Sequence, residues 1–260
     1  LQWQGQTVSR LGSQLFTAGL LFWIKAATGS PALMGTLAMV SSLPGVLLMP
    51  VGGALADRYP RKRIIILGDF VRALALLALT ALMFFKPSAT PLILAALFAV
   101  SVINGVVGSF FSPALAATIP DIVPPHRVTA ANSLGQLSIQ GSLFIGQAIG
   151  GWLYEVVGAV WLFLINALSF LYSSASETLV TIPQTIPERK GNWREQFRTF
   201  GHDIAEGFRY VWNKPGLREM LIFSAALGFF TAPIVVLMPF YVEDTLGAGA
   251  RWYGFLLSGF

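Results

Sequence analysis

Apolar residues along this chain gather into long blocks, and short polar gaps separate the blocks. A helix needs about 20 apolar residues to cross the hydrocarbon of a bilayer. By that length the blocks predict seven complete spans and the start of an eighth. They run roughly over 1–26, 32–56, 63–85, 91–118, 129–154, 159–182 and 217–242, then from 252 onward. Proline, glycine and charge punctuate the gaps, as in Thr28-Gly29-Ser30-Pro31, Lys86-Pro87, Val123-Pro124-Pro125 and Glu155 to Gly158. An isolated helix satisfies its own backbone in lipid, so the fold class is all-α, a polytopic membrane protein.

One gap is long. Residues 184–216 form the only extensive polar stretch, and Phe197, Phe200, Ile204, Phe208 and Val211 recur in it at helical spacing with charges between them. That pattern predicts an amphipathic helix over about 195–213, lying on a membrane face as a connector. The organisation expected is a six-helix bundle over 1–183, the connecting loop over 184–216, and the start of a second bundle over 217–260. The run Gly29 to Gly35 between spans 1 and 2 has a weak echo in Gly247 to Gly254 between spans 7 and 8, as an internal repeat would leave. The chain opens at Leu1 inside one apolar block and stops at Phe260 inside another, so both ends read as cut, with four to five further helices expected.

Composition agrees. The 260 residues are 55% hydrophobic and only 11% charged, where a soluble domain carries about a quarter. The net charge of +5 does not point to nucleic acid, because the cations sit in the gaps between apolar blocks. The loops after spans 2, 4 and 6 hold Arg58, Arg61, Lys62, Arg63, Arg127, Arg189, Lys190, Arg194, Arg198, Arg209 and Lys214, with Arg218 at the next helix start. The opposite loops hold only Lys25, Lys86 and Arg251. This asymmetry predicts that the first set, and the N-terminus, face the cytoplasm. The chain has no cysteine and only His126 and His202, so no thiolate or histidine-rich metal site is expected, and no cofactor. It also has no phosphate-binding loop and no set of catalytic side chains in one predicted loop, so it reads as no enzyme.

The sharpest motif follows span 2. Gly53-Ala54-Leu55-Ala56-Asp57-Arg58-Tyr59-Pro60-Arg61-Lys62-Arg63 resembles the loop between the second and third helices of major facilitator superfamily transporters, with pattern G-x-L-x-D-R-x-x-R-K/R-R. The resemblance implies a fold of twelve helices in two bundles. It also implies a latch on the cytoplasmic side, with Asp57 as pivot and Arg58, Arg61 and Arg63 as partners and Gly53 and Lys62 in the same motif. Pro60 stands where the family usually has glycine. An anion at a helix C-terminus needs such cations in any case. In span 5, Gly146-Gln147-Ala148-Ile149-Gly150-Gly151 is similar to the family's antiporter motif, with Gln147 where proline is usual. Ser138, Ser142, Gly146 and Gly150 fall at four-residue spacing, which also suits plain close helix packing.

Polar residues inside the blocks are costly and therefore candidates. Gln6, Arg10, Gln14 and Thr17 share one face of span 1, and an arginine that deep costs about 3 kcal/mol on insertion scales. Arg10 and Gln14 are candidate substrate contacts, the alternative for Arg10 being a structural pair with an acid of a neighbouring helix. Asp69 and Arg72 lie three apart in span 3 and can pair; Asp69 is also a candidate proton carrier. Asn132, Gln136 and Gln140 form a second stripe in span 5, and Asn104 lies within span 4. Asp121, Glu155 and Glu177 fall at estimated span ends and are expected at the membrane interface.

Further runs, such as Phe110 to Leu115 and Leu164 to Phe170, are similar to the superfamily branch that holds bacterial macrolide and siderophore exporters. The resemblance implies a secondary transporter of the bacterial inner membrane, a monomer in the lipid bilayer. It would export amphipathic small molecules by alternating access, driven by protons or another coupling ion. Span 1 carries Arg10 and no acid, which favours neutral or anionic cargo over lipophilic cations. A lysophospholipid flippase on the same fold and a non-transporting scaffold or sensor are the rival readings. The intramembrane Arg10, Asp69 and Arg72 weigh against the scaffold.

Overall fold

The computed structural model describes residues 2–180, 183–184 and 206–258. They form α-helices and short connections, with no strand among the described residues. In chain order the helices are α1 (Gln2–Thr28), α2 (Pro31–Arg58), α3 (Arg61–Phe85), α4 (Thr90–Ile122), α5 (Val128–Thr178), α6 (206–213), α7 (Leu217–Phe240) and α8 (Ala250–Ser258). The predicted amphipathic segment lies mostly outside the described residues; its described end is α6, where Phe208 stacks on Trp212 at 5.5 Å.

Among the described residues five helical stretches are long and apolar enough to cross a membrane: Pro31–Arg58, Arg61–Phe85, Thr90–Ile122, Pro125–Thr178 and Leu217–Thr245. At 27 residues α1 has the length, but the polar residues of its first half dilute its apolar character. The α5 stretch is far too long for one crossing. It breaks at Gly158, where φ is 79° and ψ 171°. Only glycine enters that region without a steric penalty, and a single residue there ends the first arm (128–157) and starts the second (159–178). The sequence places this corner within a four-residue gap; the helix in fact continues through Glu155 to the glycine itself.

Local chemistry explains the other ends. Gly29, at φ 61°, stops α1 and donates its N–H to the Lys25 carbonyl at 2.8 Å. The Ser30 hydroxyl then caps α2 by accepting from the Leu33 N–H, with Pro31 at the first helical position. After α7 the chain makes a π-turn, Tyr241–Thr245, and Gly247 repeats the φ of 61° before α8. The two halves of the sequence echo thus share a left-handed glycine at the same point of their connections. α4 outlasts its expected end at 118 and runs through Pro120 to Ile122, ending ahead of Pro124 and Pro125.

The described chain groups into two compact units, residues 1–186 with 236–260, and residues 187–235. In the first unit α1 packs against both arms of α5, α2 against α4, α3 against α4 and α5, and α8 against α5. Small residues make these approaches possible. Gly5, Gly12 and Gly19 of α1 meet Ser173 and Ser176, Asn166 and Ser169, then Leu162 and Phe163 of the second arm. Gly146 and Gly150 of the first arm receive Gln14 and Ala18 of α1. Gly52 sits on the Ser109 carbonyl of α4, and Gly105 on that of Ser41 in α2. The main apolar core, including Phe16, Phe22, Met34, Leu76, Leu97 and Phe163, fills the half of the bundle nearest Lys25; near Arg61 only Ala56, Ile65, Phe111 and Ala114 form a second, small cluster. In the second unit the described part is α6 and the apolar 217–235 stretch of α7.

Candidate functional site

Three groups of polar side chains stand out, and they lie at different depths of the bundle. Deepest is a cavity of about 440 Å³ in the Arg61 half, lined by Gln6, Arg10, Arg72, Asn132, Gln136 and Phe170 among others. Its walls are the first turns of α1 and α5, the last turns of α4, and α3 near Arg72. Arg10 projects from α1 and donates to the Ser138 hydroxyl at 3.1 Å and to the Gly135 carbonyl at 3.5 Å. Among the described residues no carboxylate is within ion-pair range of Arg10, whose contacts are the Ser138 hydroxyl and the Gly135 carbonyl. Arg72 is held between the rings of Phe111 and Phe170, at 4.7 and 5.5 Å, and faces Asp69 at 3.7 Å.

Behind the cavity wall is a buried polar knot. The Gln6 side-chain amide lies 2.5 Å from Glu177 Oε1, 3.1 Å from Ser173 Oγ and 3.5 Å from Asp69 Oδ2. Asp69 is 0% exposed and Glu177 3%. Glu177, expected at a span end, lies in the last turn of α5, and that helix end is a packing face, covered by Gly5 and the first turns of α1. The run Ser173-Ser174-Ala175-Ser176 was the available signal, since small residues before an acid mark helix contact rather than lipid contact.

The second group lies at the Arg61 end and ties α2 to α4 there. Arg61, at 15% side-chain exposure, bonds to the Ala117 carbonyl (2.9 Å), Asp121 (2.5 Å), Asp57 (3.3 Å) and the Ala56 carbonyl (3.2 Å). Its own N–H donates to the Gln184 side chain at 2.8 Å. Lys62 reaches the Thr178 carbonyl at 2.7 Å. The centre of this cluster is therefore Arg61. Asp57 is largely exposed and pairs with Arg61; Arg63 is exposed. Arg58 ends α2 beside them. Gly53 has open space where a side chain would be, and Gly52 is the glycine in close helix contact.

The third group closes the opposite end. Lys25 meets Glu243 and Asp244 of the π-turn, each at 2.8 Å, donates to the Pro239 carbonyl at 3.1 Å and lies over the Phe240 ring. Nearby, Glu155 accepts from the Arg251 N–H at 2.9 Å. Gly151 touches the Ala250 carbonyl, and Gly254 touches that of Gln147. The antiporter-like motif is thus split by direction: Gly146 and Gly150 serve α1, while Gln147 and Gly151 serve α8.

The structure brings Arg10, Arg72 and Gln136 to one cavity, with Asp69 directly behind. Gln14 packs on Gly146, Asn104 is half-buried in α4, and Gln140 is exposed; none of the three lines that cavity.

Comparison with known proteins gives this arrangement a context. The sequence profile of the Major Facilitator Superfamily matches residues 3–260. Macrolide efflux protein A of Streptococcus pyogenes is 26% identical over 242 residues, 93% of this chain and 58% of that protein. The uncharacterized MFS-type transporter YkuC of Bacillus subtilis is 27% identical, over 85% of this chain and 50% of its own length. The multidrug efflux pump Tap of Mycolicibacterium fortuitum is 25% identical, over 83% and 53%. The chain therefore spans little more than half the length of these relatives.

Proposed function

The chain belongs to the Major Facilitator Superfamily, and from that premise we propose that it is the first bundle, with the start of the second, of a proton-driven exporter of amphipathic small molecules. Transport rather than catalysis follows from the family. The single observation that carries the cargo reading is the cavity with Arg10 and Arg72 at its wall and aromatic and aliphatic surface around them. Guanidinium groups facing a partly apolar pocket suit neutral polar or anionic molecules with large apolar bodies. The names of the similar proteins, macrolide and multidrug efflux, fit that class of cargo.

Alternating access needs two closures that are not both tight at once. The Lys25 end is sealed by backbone contact at Gly151 and Gly254 and by the main core, while the cavity occupies the Arg61 half. In this reading the N-terminus and the Arg61 cluster face the cytoplasm, as the loop cations favour. The cavity then receives cargo from inside the cell, across the bacterial inner membrane. Arg61 would tie α2 to α4 on that face while the bundles rock, and each proton entering across 100 mV would supply about 2.3 kcal/mol.

The test is export of a compound panel, including a macrolide, an anionic siderophore and a lysophospholipid, by cells making the full-length protein, with and without a proton uncoupler. Arg10→Ala is expected to lower macrolide or siderophore export about tenfold, equivalent to about 1.4 kcal/mol. Unchanged export by that variant would refute the cargo assignment. Uncoupler-resistant export would refute proton drive. Movement of lysophospholipid alone would favour the flippase, and movement of none would return the scaffold reading.

A further inference from the structure

Asp69 and Glu177 come from helices 108 positions apart in sequence, yet one side chain serves both: the Gln6 amide, at 3.5 and 2.5 Å. The surrounding charges are few. On α3 itself Arg72 is 3.7 Å from Asp69, and Lys62, further toward the end, is spent on the Thr178 carbonyl. From α1 the only cation nearby is Arg10, one turn beyond Gln6 and turned to Ser138. The second arm of α5 adds the Ser173 hydroxyl. α4 presents the Phe111 ring to Arg72, and its Asp121 is held by Arg61. With both carboxyls ionised, two negative charges face one guanidinium in a site closed to water. A buried net charge of that kind is costly, and one proton removes it.

The hydrogen-bond pattern points the same way. Asp69 Oδ1 and Glu177 Oε2 are buried and have no hydrogen-bond partner among the described residues. A buried carboxylate kept charged needs donors on both oxygens, and neither of these has them. An amide is suited to both states, since its NH2 group donates to carboxylates, and turned over its oxygen accepts from a carboxylic acid. Gln6 and Arg72 also line the cavity, so the site is one side chain away from the space that opens and closes.

We propose that Asp69 and Glu177, bridged by Gln6 and balanced by Arg72, form one proton-binding site. It takes up a single proton onto one carboxylate oxygen, passes from a net charge of minus one to neutral, and gives the proton back by the reverse step. Its use in transport rests on the proton-driven reading above; the uptake itself does not.

Sharing makes the test specific. In either Asp69→Asn or Glu177→Gln the like-charged neighbour is gone and the net charge of the site with Arg72 is already zero, so no proton is needed to balance it. Purified full-length protein in lipid nanodiscs, stepped in pH, is expected to show a carboxylic-acid C=O band by difference infrared spectroscopy. Each single variant should lose that whole band. A band retained in either correctly folded variant, judged by size-exclusion profile, overturns the shared site, and the two variants are independent chances to see it. A wild type with no such band also overturns it. In a separate arm, everted vesicles accumulate a macrolide under a pH gradient. Both variants are expected to lose gradient-driven accumulation. Gradient-independent accumulation by wild type refutes the proton-driven reading, and the infrared result still judges the site.

Discussion

The Arg61 end and the Lys25 end of the molecule are held by different kinds of contact. At the Arg61 end one guanidinium gathers carbonyls and carboxylates from α2 and α4, with a small apolar cluster beneath it. At the Lys25 end a charged group is also present, but the contact that matters is backbone on backbone, Gly151 with Ala250 and Gly254 with Gln147, above a large core. A polar tie is directional and modest in net energy, whereas a glycine contact has no tolerance for added volume. The two ends should therefore fail differently.

The largest effect is expected from Gly151→Leu. Its Cβ alone would overlap the Ala250 carbonyl, so α5 and α8 cannot meet as they do here. Overpacking of this kind costs about 1–3 kcal/mol, enough to lower export about tenfold or more. Residues 1–260 hold no cysteine, so Lys25→Cys with Asp244→Cys, with any cysteine elsewhere in the full-length protein replaced by serine, gives a cross-linking pair that reports closure of this end. The pair should cross-link readily alone and poorly with Gly151→Leu added; equal cross-linking would show that the glycine contact does not govern closure. Next is Arg61→Ala, which strands Asp121 and frees the Ala117 carbonyl. Truncating one side of a buried pair costs about 3–5 kcal/mol, and partial exposure here reduces that to about 2. A drop in the melting temperature of the purified protein checks it, and no drop would mean that water replaces the guanidinium without loss. Smallest is Lys25→Ala. Glu243 and Asp244 are 36% and 62% exposed, so the loss should stay under about 1 kcal/mol and shrink further in high salt. A defect as large as that of Gly151→Leu would reverse the comparison.

The contrast also explains what the sequence made visible. Span positions, the glycine punctuation at Gly29 and Gly158 and the cation asymmetry are local signals, set by apolar length and backbone freedom, and they were readable. The small-residue stripe from Ser138 to Gly150 was readable as a packing face but not in its partner, because α1 comes from a distant part of the chain. The Asp69–Arg72 pair is a neighbour relation on one helix and was legible for the same reason. Glu177 was not, since its environment is made by Gln6 and Gly5 of α1. Arg61 as the centre of its cluster was also hidden: Asp121 reaches it only because α2 and α4 pack at Gly52 and Gly105.

Gly158 has a mechanical consequence. The corner it makes is one residue long, so the φ and ψ of a single glycine, with no Cβ and with open space around it, set the angle between the arms. The first arm bears on α8 through Gly151; the second carries Glu177 at its far end. Gly158 is thus the joint of α5, with the α8 contact on one limb and the buried carboxyl pair on the other.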